Sequence, residues 1–158
     1  MTSASTKTAR TGWGGVPRVA RILTYAGLVP FGAGFLVSLT GAPASLSVEV
    51  AMLAFKAYAA VILAFLGGVH WGMALTLEEG AAQTRALVIS VAPPLIGVAA
   101  VLADAKPAFA ILAIAFLLQG LFDIGYFRKL RKGGWYARLR LEVTVIVVIL
   151  LALSSWFV

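Results

Sequence analysis

The chain has 158 residues, of which 61% are hydrophobic and only 12% are charged, and its mean hydropathy is +0.99. Soluble domains lie far from these values, so the composition indicates an integral membrane protein without room for a separate soluble domain. The absence of cysteine excludes disulfides, thiolate metal sites and iron–sulfur clusters, and the net charge of +7 is assigned to membrane orientation, with no nucleic-acid partner.

Five apolar segments follow one another along the chain, and each is long enough to cross a bilayer as a helix. Alternation of polar and apolar residues over strand length is absent, so the pattern favours an all-α fold over a transmembrane β-barrel. The predicted helices cover residues 19–40, 50–77, 84–103, 107–127 and 139–158. The sequence therefore predicts a five-helix transmembrane bundle, with residues 18–158 as a single transmembrane domain and residues 1–17 as a basic, disordered cytoplasmic tail.

Proline marks two of the predicted helices. Pro93 and Pro94 lie in the middle of the third helix, where the missing N–H and the clash with the preceding turn predict a bend or a break. Pro107 opens the fourth helix, at a position where an N–H has no helical partner to lose.

Lysine and arginine are distributed unevenly between the two sides of the five alternating spans. Eleven of the thirteen fall on one side, and only Lys56 and Lys106 fall on the other. Cytoplasmic loops of membrane proteins carry such an excess of positive charge. We therefore expect the N-terminus in the cytoplasm and the C-terminus on the opposite side.

His70 is the only histidine of the chain, and it lies inside the second apolar segment. With a rise of about 1.5 Å per residue, His70 is roughly 10 Å to the cytoplasmic side of its helix midpoint. Asp123 of the fourth helix and Glu142 of the fifth fall at similar depths. Ionisable groups inside a membrane generally face a partner or a cavity, so these three predict a polar cluster or ligand site. The candidate cluster also includes three residues at or just beyond this layer: Arg21, Tyr25 and Arg140.

Each member of the cluster has a structural interpretation beside the functional one. Asp123 can form an ion pair with Arg140 or Arg21 that holds helices together. Glu142 can be a solvated acid near the headgroups. His70 can make an interhelical hydrogen bond without chemistry, or it can handle a ligand, a proton or a cofactor.

Small residues form a stripe on the second predicted helix. Ala64, Gly68 and Gly72 recur at four-residue spacing, so they share one helix face and let a neighbouring backbone approach closely. This pattern predicts tight helix packing, together with Pro93 and Pro94 of the third helix, but it does not define a dimer.

Short motifs in all five helices bear a family resemblance. The most specific is Val61 to Gly72, which ends in Gly-Val-His-Trp-Gly. The others are Gly27-Leu28-Val29-Pro30-Phe31, Tyr58, Ser90-Val91-Ala92-Pro93, Asp123, Trp135-Tyr136, Leu139-Arg140-Leu141 and Thr144. From about Ala20 to its C-terminus the chain resembles the family of transmembrane protein 69, small bacterial and mitochondrial proteins grouped as a domain of unknown function. The resemblance implies a multi-pass protein of the bacterial plasma membrane, or of the mitochondrial inner membrane in a eukaryote, and it implies no known reaction.

Three classes of function follow. The first is a non-catalytic accessory or assembly subunit of a larger inner-membrane complex, favoured by the small size and short loops. The second is a transporter or small-molecule-binding protein with its site around His70, Asp123 and Arg140. An enzyme is the weakest, because no nucleophile–base pair or metal cluster has a recognisable spacing. We predict no catalytic residue, metal or cofactor, and expect as partners the lipid bilayer and either another membrane protein or further copies of the chain.

Overall fold

A computed structural model describes residues 17–129 and 134–158 of the chain. The described part contains six helices and no strand: α1 (Arg18–Ala26), α2 (Val29–Thr40), α3 (Val48–Ala74), α4 (Ala81–Leu102), α5 (Ala105–Lys129) and α6 (Gly134–Phe157). Together α1 and α2 form the first of five segments that are long and apolar enough to cross a membrane. The all-α fold with five spans is confirmed, with most helix ends within three residues of the predicted ones. Apart from Pro17, the predicted basic tail lies outside the described residues.

The first predicted helix is interrupted where α1 meets α2. Pro30 has no N–H to donate to the carbonyl of Ala26, so the regular helical ladder stops just before it. The amide of Leu28 bonds the carbonyl of Tyr25 at 3.0 Å, which tightens the turn at this point. The predicted helix over residues 19–40 is therefore one span made of two helices, because Pro30 interrupts the backbone hydrogen bonding within it.

The prolines of α4 leave that helix intact. Pro93 and Pro94 lie inside the uninterrupted helix Ala81–Leu102, so the predicted break does not occur. Proline fixes φ at a helical value and removes only its own N–H, so the carbonyls of Ile89 and Ser90 lose their usual donors while the other turns persist. Membrane helices tolerate such losses where a neighbouring helix packs against the freed backbone.

The core lies between α3 and α5, the two most buried spans. Within their most apolar stretches, 44% of α3 and 50% of α5 is buried, against 11–33% for the other spans. Phe31 of α2 contacts Phe55 and Tyr58 of α3 and Phe116 of α5 edge to ring, with centroid distances of 5.4–6.1 Å. These rings join α2, α3 and α5.

Glycines set the close approaches between helices, but they are not the predicted ones. A Cβ on Gly67 would lie 2.6 Å from the carbonyl oxygen of Ser90, and one on Gly120 would lie 2.4 Å from Thr144. At Gly68 and Gly72 an added Cβ would meet no atom of the described residues within 4 Å. The predicted stripe of Ala64, Gly68 and Gly72 therefore does not carry packing between the described helices, because the adjacent face of α3, with Gly67, turns toward α4.

Lys56 is buried at the end of the bundle opposite His70. Its Nζ donates hydrogen bonds to the carbonyls of Val101 at 3.1 Å and Ala103 at 2.6 Å. The last carbonyls of a helix have no helical donors and carry partial negative charge, so the ammonium group caps the C-terminus of α4.

Candidate functional site

A buried polar network joins three helices around the carboxyl group of Asp123. His70 of α3 lies with Nε2 2.5 Å from Asp123 Oδ1, and Gln119 Nε2 donates to the same oxygen at 2.8 Å. Arg140 of α6 donates from Nε to the other oxygen, Oδ2. Asp123 is only 2% exposed, and the other three are also buried. Both oxygens of the carboxyl group are thus occupied by the network.

The helices bring these side chains together through local sequence features. Gln119 and Asp123 are four residues apart on α5, so both side chains lie on one face of that helix. Gly120 lets Thr144 approach the backbone of α5, which brings α6 close enough for Arg140 to reach the carboxyl group. His70 is one turn after Gly67, the residue at which α3 packs closely on α4.

Asp123 and Arg140 form the ion pair of the network. Asp123 is an acceptor for Gln119 and Arg140, as expected of a carboxylate, and the guanidinium of Arg140 supplies the compensating positive charge. A buried ion pair is tolerated in an apolar layer only when its polar atoms are bonded. Two buried polar atoms, Arg140 Nη2 in the pair and Thr144 Oγ1 beside it, have no hydrogen-bond partner among the described residues.

Two aromatic side chains contact the His70 ring. Its centroid is 4.9 Å from that of Phe122 and 5.7 Å from that of Tyr126, and both contacts are edge to face. These rings fix the orientation of the imidazole and exclude water from one side of it.

A groove of about 270 Å³ runs between α3, α4 and α5, with the His70 side chain in its wall. Most of the wall is aliphatic or aromatic, and the polar side chains in it are His70, Gln119 and Ser90. Its other lining residues are Leu63, Ile89, Ala92, Pro93, Ile96, Ala115, Leu118 and Phe122. Concave apolar sites with a few convergent polar groups are typical of small-molecule binding.

Half of the predicted polar cluster lies outside this network. Tyr25 donates a hydrogen bond of 2.9 Å to Glu142 Oε2, at an exposed position between α1 and α6. Arg21 forms no ion pair with a described residue. Glu142 and Arg140 are two residues apart on α6, so they point to different sides of the helix and cannot share one cluster. The predicted six-residue site is therefore two sites, with His70, Asp123 and Arg140 in the buried one.

Gln119 is a member of the network that the sequence interpretation missed. It is an amide inside an apolar span, four residues before Asp123, and this i to i+4 spacing was a usable signal. Over residues 17–129 and 134–158, no group of three or more His, Cys, Asp or Glu side chains could hold a metal ion.

Comparison with known proteins identifies the family of the chain. The model of the family described as "Protein of unknown function (DUF3429)" matches residues 16–156, nearly the whole chain. No solved structure matches the chain.

Proposed function

We propose that the chain, which belongs to the DUF3429 family of proteins of unknown function, binds a small lipid-soluble molecule in the groove. The reason is that His70 borders both the buried network and the groove. The position of His70 is the observation that carries the proposal. One ring nitrogen bonds Asp123, and the ring also forms part of the groove wall.

The composition of the groove supports a ligand drawn from the bilayer. Aliphatic and aromatic side chains from three helices form most of its wall, and such a wall favours an apolar body. A volume of about 270 Å³ suits a ring or a short stretch of hydrocarbon chain with a small head. His70 and Gln119 would then supply the polar contacts that orient the head.

A purely structural network would not require this arrangement. Gln119 and Arg140 already bond both oxygens of Asp123. His70 adds a third interaction and at the same time presents an imidazole in a groove lined mainly by apolar groups. Intramembrane ionisable residues that face a cavity commonly mark functional sites.

Extraction of bound molecules tests the proposal. The full chain would be purified in a gentle detergent, and its small molecules extracted and identified by mass spectrometry, for the natural sequence and for Ala92→Phe. Ala92 lines the groove, so the phenyl ring should occupy it and remove a specific molecule from the extract. Val98→Phe is the matched control, because Val98 lies on the same helix, is 60% exposed and is not in the groove wall. Identical extracts from all three proteins would overturn the proposal.

An accessory or assembly role is the second candidate, and the unused small-residue stripe favours it. Gly68 and Gly72 are exposed and no described residue packs on them, which leaves a smooth face for a helix of another membrane protein. The chain has no cysteine, so Gly72→Cys introduces a single cross-linking site. A discrete adduct with one other membrane protein, absent from a Val98→Cys control, would support this role. An adduct between two copies of the chain, or equal adducts at both positions, would contradict it.

The proposal also covers the orientation of the chain and the membrane in which it lies. The uneven distribution of Lys and Arg supports a cytoplasmic N-terminus. The resemblance to the transmembrane protein 69 family supports the bacterial plasma membrane or mitochondrial inner membrane. We propose no enzymatic activity and no resident cofactor.

A further inference from the structure

We propose that the molecule in the groove carries a hydrogen-bond-donating hydroxyl group on an apolar body, as a phenol, a quinol or a long-chain alcohol does. This inference rests on the proposed binding function and adds the chemical class of the ligand. It is based on the polar atoms of the groove residues that form no hydrogen bond with a described residue.

The hydrogen bond to Asp123 determines which nitrogen of His70 remains free. Asp123 accepts hydrogen bonds on both oxygens, so the imidazole donates to it from Nε2. Arg140 already balances the charge of Asp123, and a protonated imidazole would leave an uncompensated positive charge in an apolar layer. A neutral imidazole with its proton on Nε2 has an acceptor lone pair on Nδ1.

His70 Nδ1 forms no hydrogen bond with a described residue, since the ring's one hydrogen bond there runs from Nε2 to Asp123. Because the side chain of His70 lines the groove and Nε2 is occupied by Asp123, Nδ1 is the polar atom that the ring offers to an occupant.

Two further oxygens make the polar side of the groove rich in acceptors. Gln119 uses its amide nitrogen for Asp123, which leaves its carbonyl oxygen without a partner among the described residues. Pro93 has no N–H, so the carbonyl of Ile89, which also lines the groove, has lost its regular helical donor. Buried or membrane-embedded acceptors favour an occupant that brings a donor, since an unpaired polar group is costly there.

A matched pair of probes separates a donor from a non-donor of the same shape. The full chain would be placed in nanodiscs with isotope-labelled histidine and titrated with para-heptylphenol or with its methyl ether, para-heptylanisole. The chain has one histidine, so the spectrum contains one imidazole with two distinguishable nitrogens. We expect His70 to be protonated on Nε2 in the protein without a probe, and the Nδ1 resonance to shift saturably when the phenol is added. The phenol should bind about tenfold more tightly than the ether, which corresponds to one hydrogen bond.

Variants connect the signal to the groove. Ala92→Phe should abolish the response to both probes, and Val98→Phe should leave it unchanged. His70→Leu removes Nδ1 without adding another acceptor, and Gln119 and Arg140 still bond both oxygens of Asp123. Its preference for the phenol over the ether should therefore fall well below tenfold, with the resonances of the bound probe as the reporter and retained binding of the ether as the sign that the groove persists. A folded His70→Leu protein that still prefers the phenol tenfold would overturn the role assigned to Nδ1.

The outcomes distinguish the ligand class from the binding function itself. Equal binding of phenol and ether to the natural sequence, blocked by Ala92→Phe, would overturn the hydroxyl inference and leave the groove a binding site. A free protein protonated on Nδ1 would also overturn it. Failure of both probes to bind saturably, or binding unaffected by Ala92→Phe, would overturn the proposed function together with the inference.

Discussion

The hydroxyl of Tyr58 on α3 donates a hydrogen bond of 2.9 Å to the carbonyl oxygen of Gly27, where α1 meets α2. Pro30 disturbs the helical ladder at this point, and the tyrosine supplies a donor from a neighbouring helix to the irregular backbone. The first span therefore depends on α3 for its backbone hydrogen bonding as well as for packing.

Tyr58→Phe should lower the stability of the bundle. The variant keeps the ring contact with Phe31 and removes only the donor to Gly27, so the expected loss is about 1 kcal/mol of unfolding free energy. Reversible unfolding in mixed micelles measures it. An unchanged free energy of unfolding would mean that the carbonyl of Gly27 finds another donor.

Tyr25→Phe is the matched change at an exposed hydrogen bond, and its effect should be smaller than that of Tyr58→Phe. Tyr25 is 37% exposed and its hydroxyl bonds the half-buried Glu142, so headgroups and water can replace the lost interaction. The same unfolding experiment compares the two variants. A larger loss for Tyr25→Phe would indicate that the outer Tyr25–Glu142 pair, rather than Tyr58, holds the first span in place.

Two adjacent glycines should respond in opposite ways to alanine. Gly67→Ala forces a methyl group against the Ser90 carbonyl at the closest approach of α3 and α4, with an expected cost of about 1–3 kcal/mol. Gly68→Ala meets open space and favours the helix, so it should be neutral or stabilising by up to about 1 kcal/mol. Thermal denaturation of the two variants and of the natural sequence ranks the three proteins by stability. Equal destabilisation by both changes would contradict the orientation of α3 in which Gly67, and not Gly68, faces α4.

These glycines illustrate what the sequence could and could not predict. Hydropathy identified the five spans because apolar length alone decides whether a segment crosses a bilayer. It could not tell whether Gly67 or Gly68 faces α4, because a helix that is apolar on every side carries no amphipathic signal for its rotation. Depth counting brought His70 and Asp123 to one layer for the same reason that it wrongly added Glu142: depth is read from the sequence, and rotation is not.

Asp123 and Arg140 should show strong coupling in a double-mutant cycle. Asp123→Leu leaves the guanidinium unpaired in the apolar layer, at an expected cost of about 3–5 kcal/mol. Removing Arg140 as well, in Asp123→Leu with Arg140→Leu, should recover part of that loss, because no uncompensated charge remains. Unfolding in mixed micelles gives all four corners of the cycle.

Lys56→Met supplies the control for this cycle. Lys56 lies about 20 Å from His70 along α3, so its effect should add to that of Asp123→Leu without coupling.

A double variant of Asp123 and Arg140 that is less stable than Asp123→Leu alone would contradict the assignment of a mutually compensating pair.

Labelling of single cysteines should reveal the orientation of the chain, since the natural sequence has none to remove. Ser45 lies between α2 and α3, and Glu79 lies between α3 and α4, so the two positions flank the same span and are exposed on opposite sides of it. If the excess of Lys and Arg marks the cytoplasmic side, a membrane-impermeant maleimide should label Ser45→Cys in intact bacterial spheroplasts and label Glu79→Cys only after permeabilisation. Neither substitution alters a Lys or Arg, so the charge pattern that directs insertion is preserved. The reverse labelling would put His70 near the outer face of the membrane and would contradict the proposed orientation.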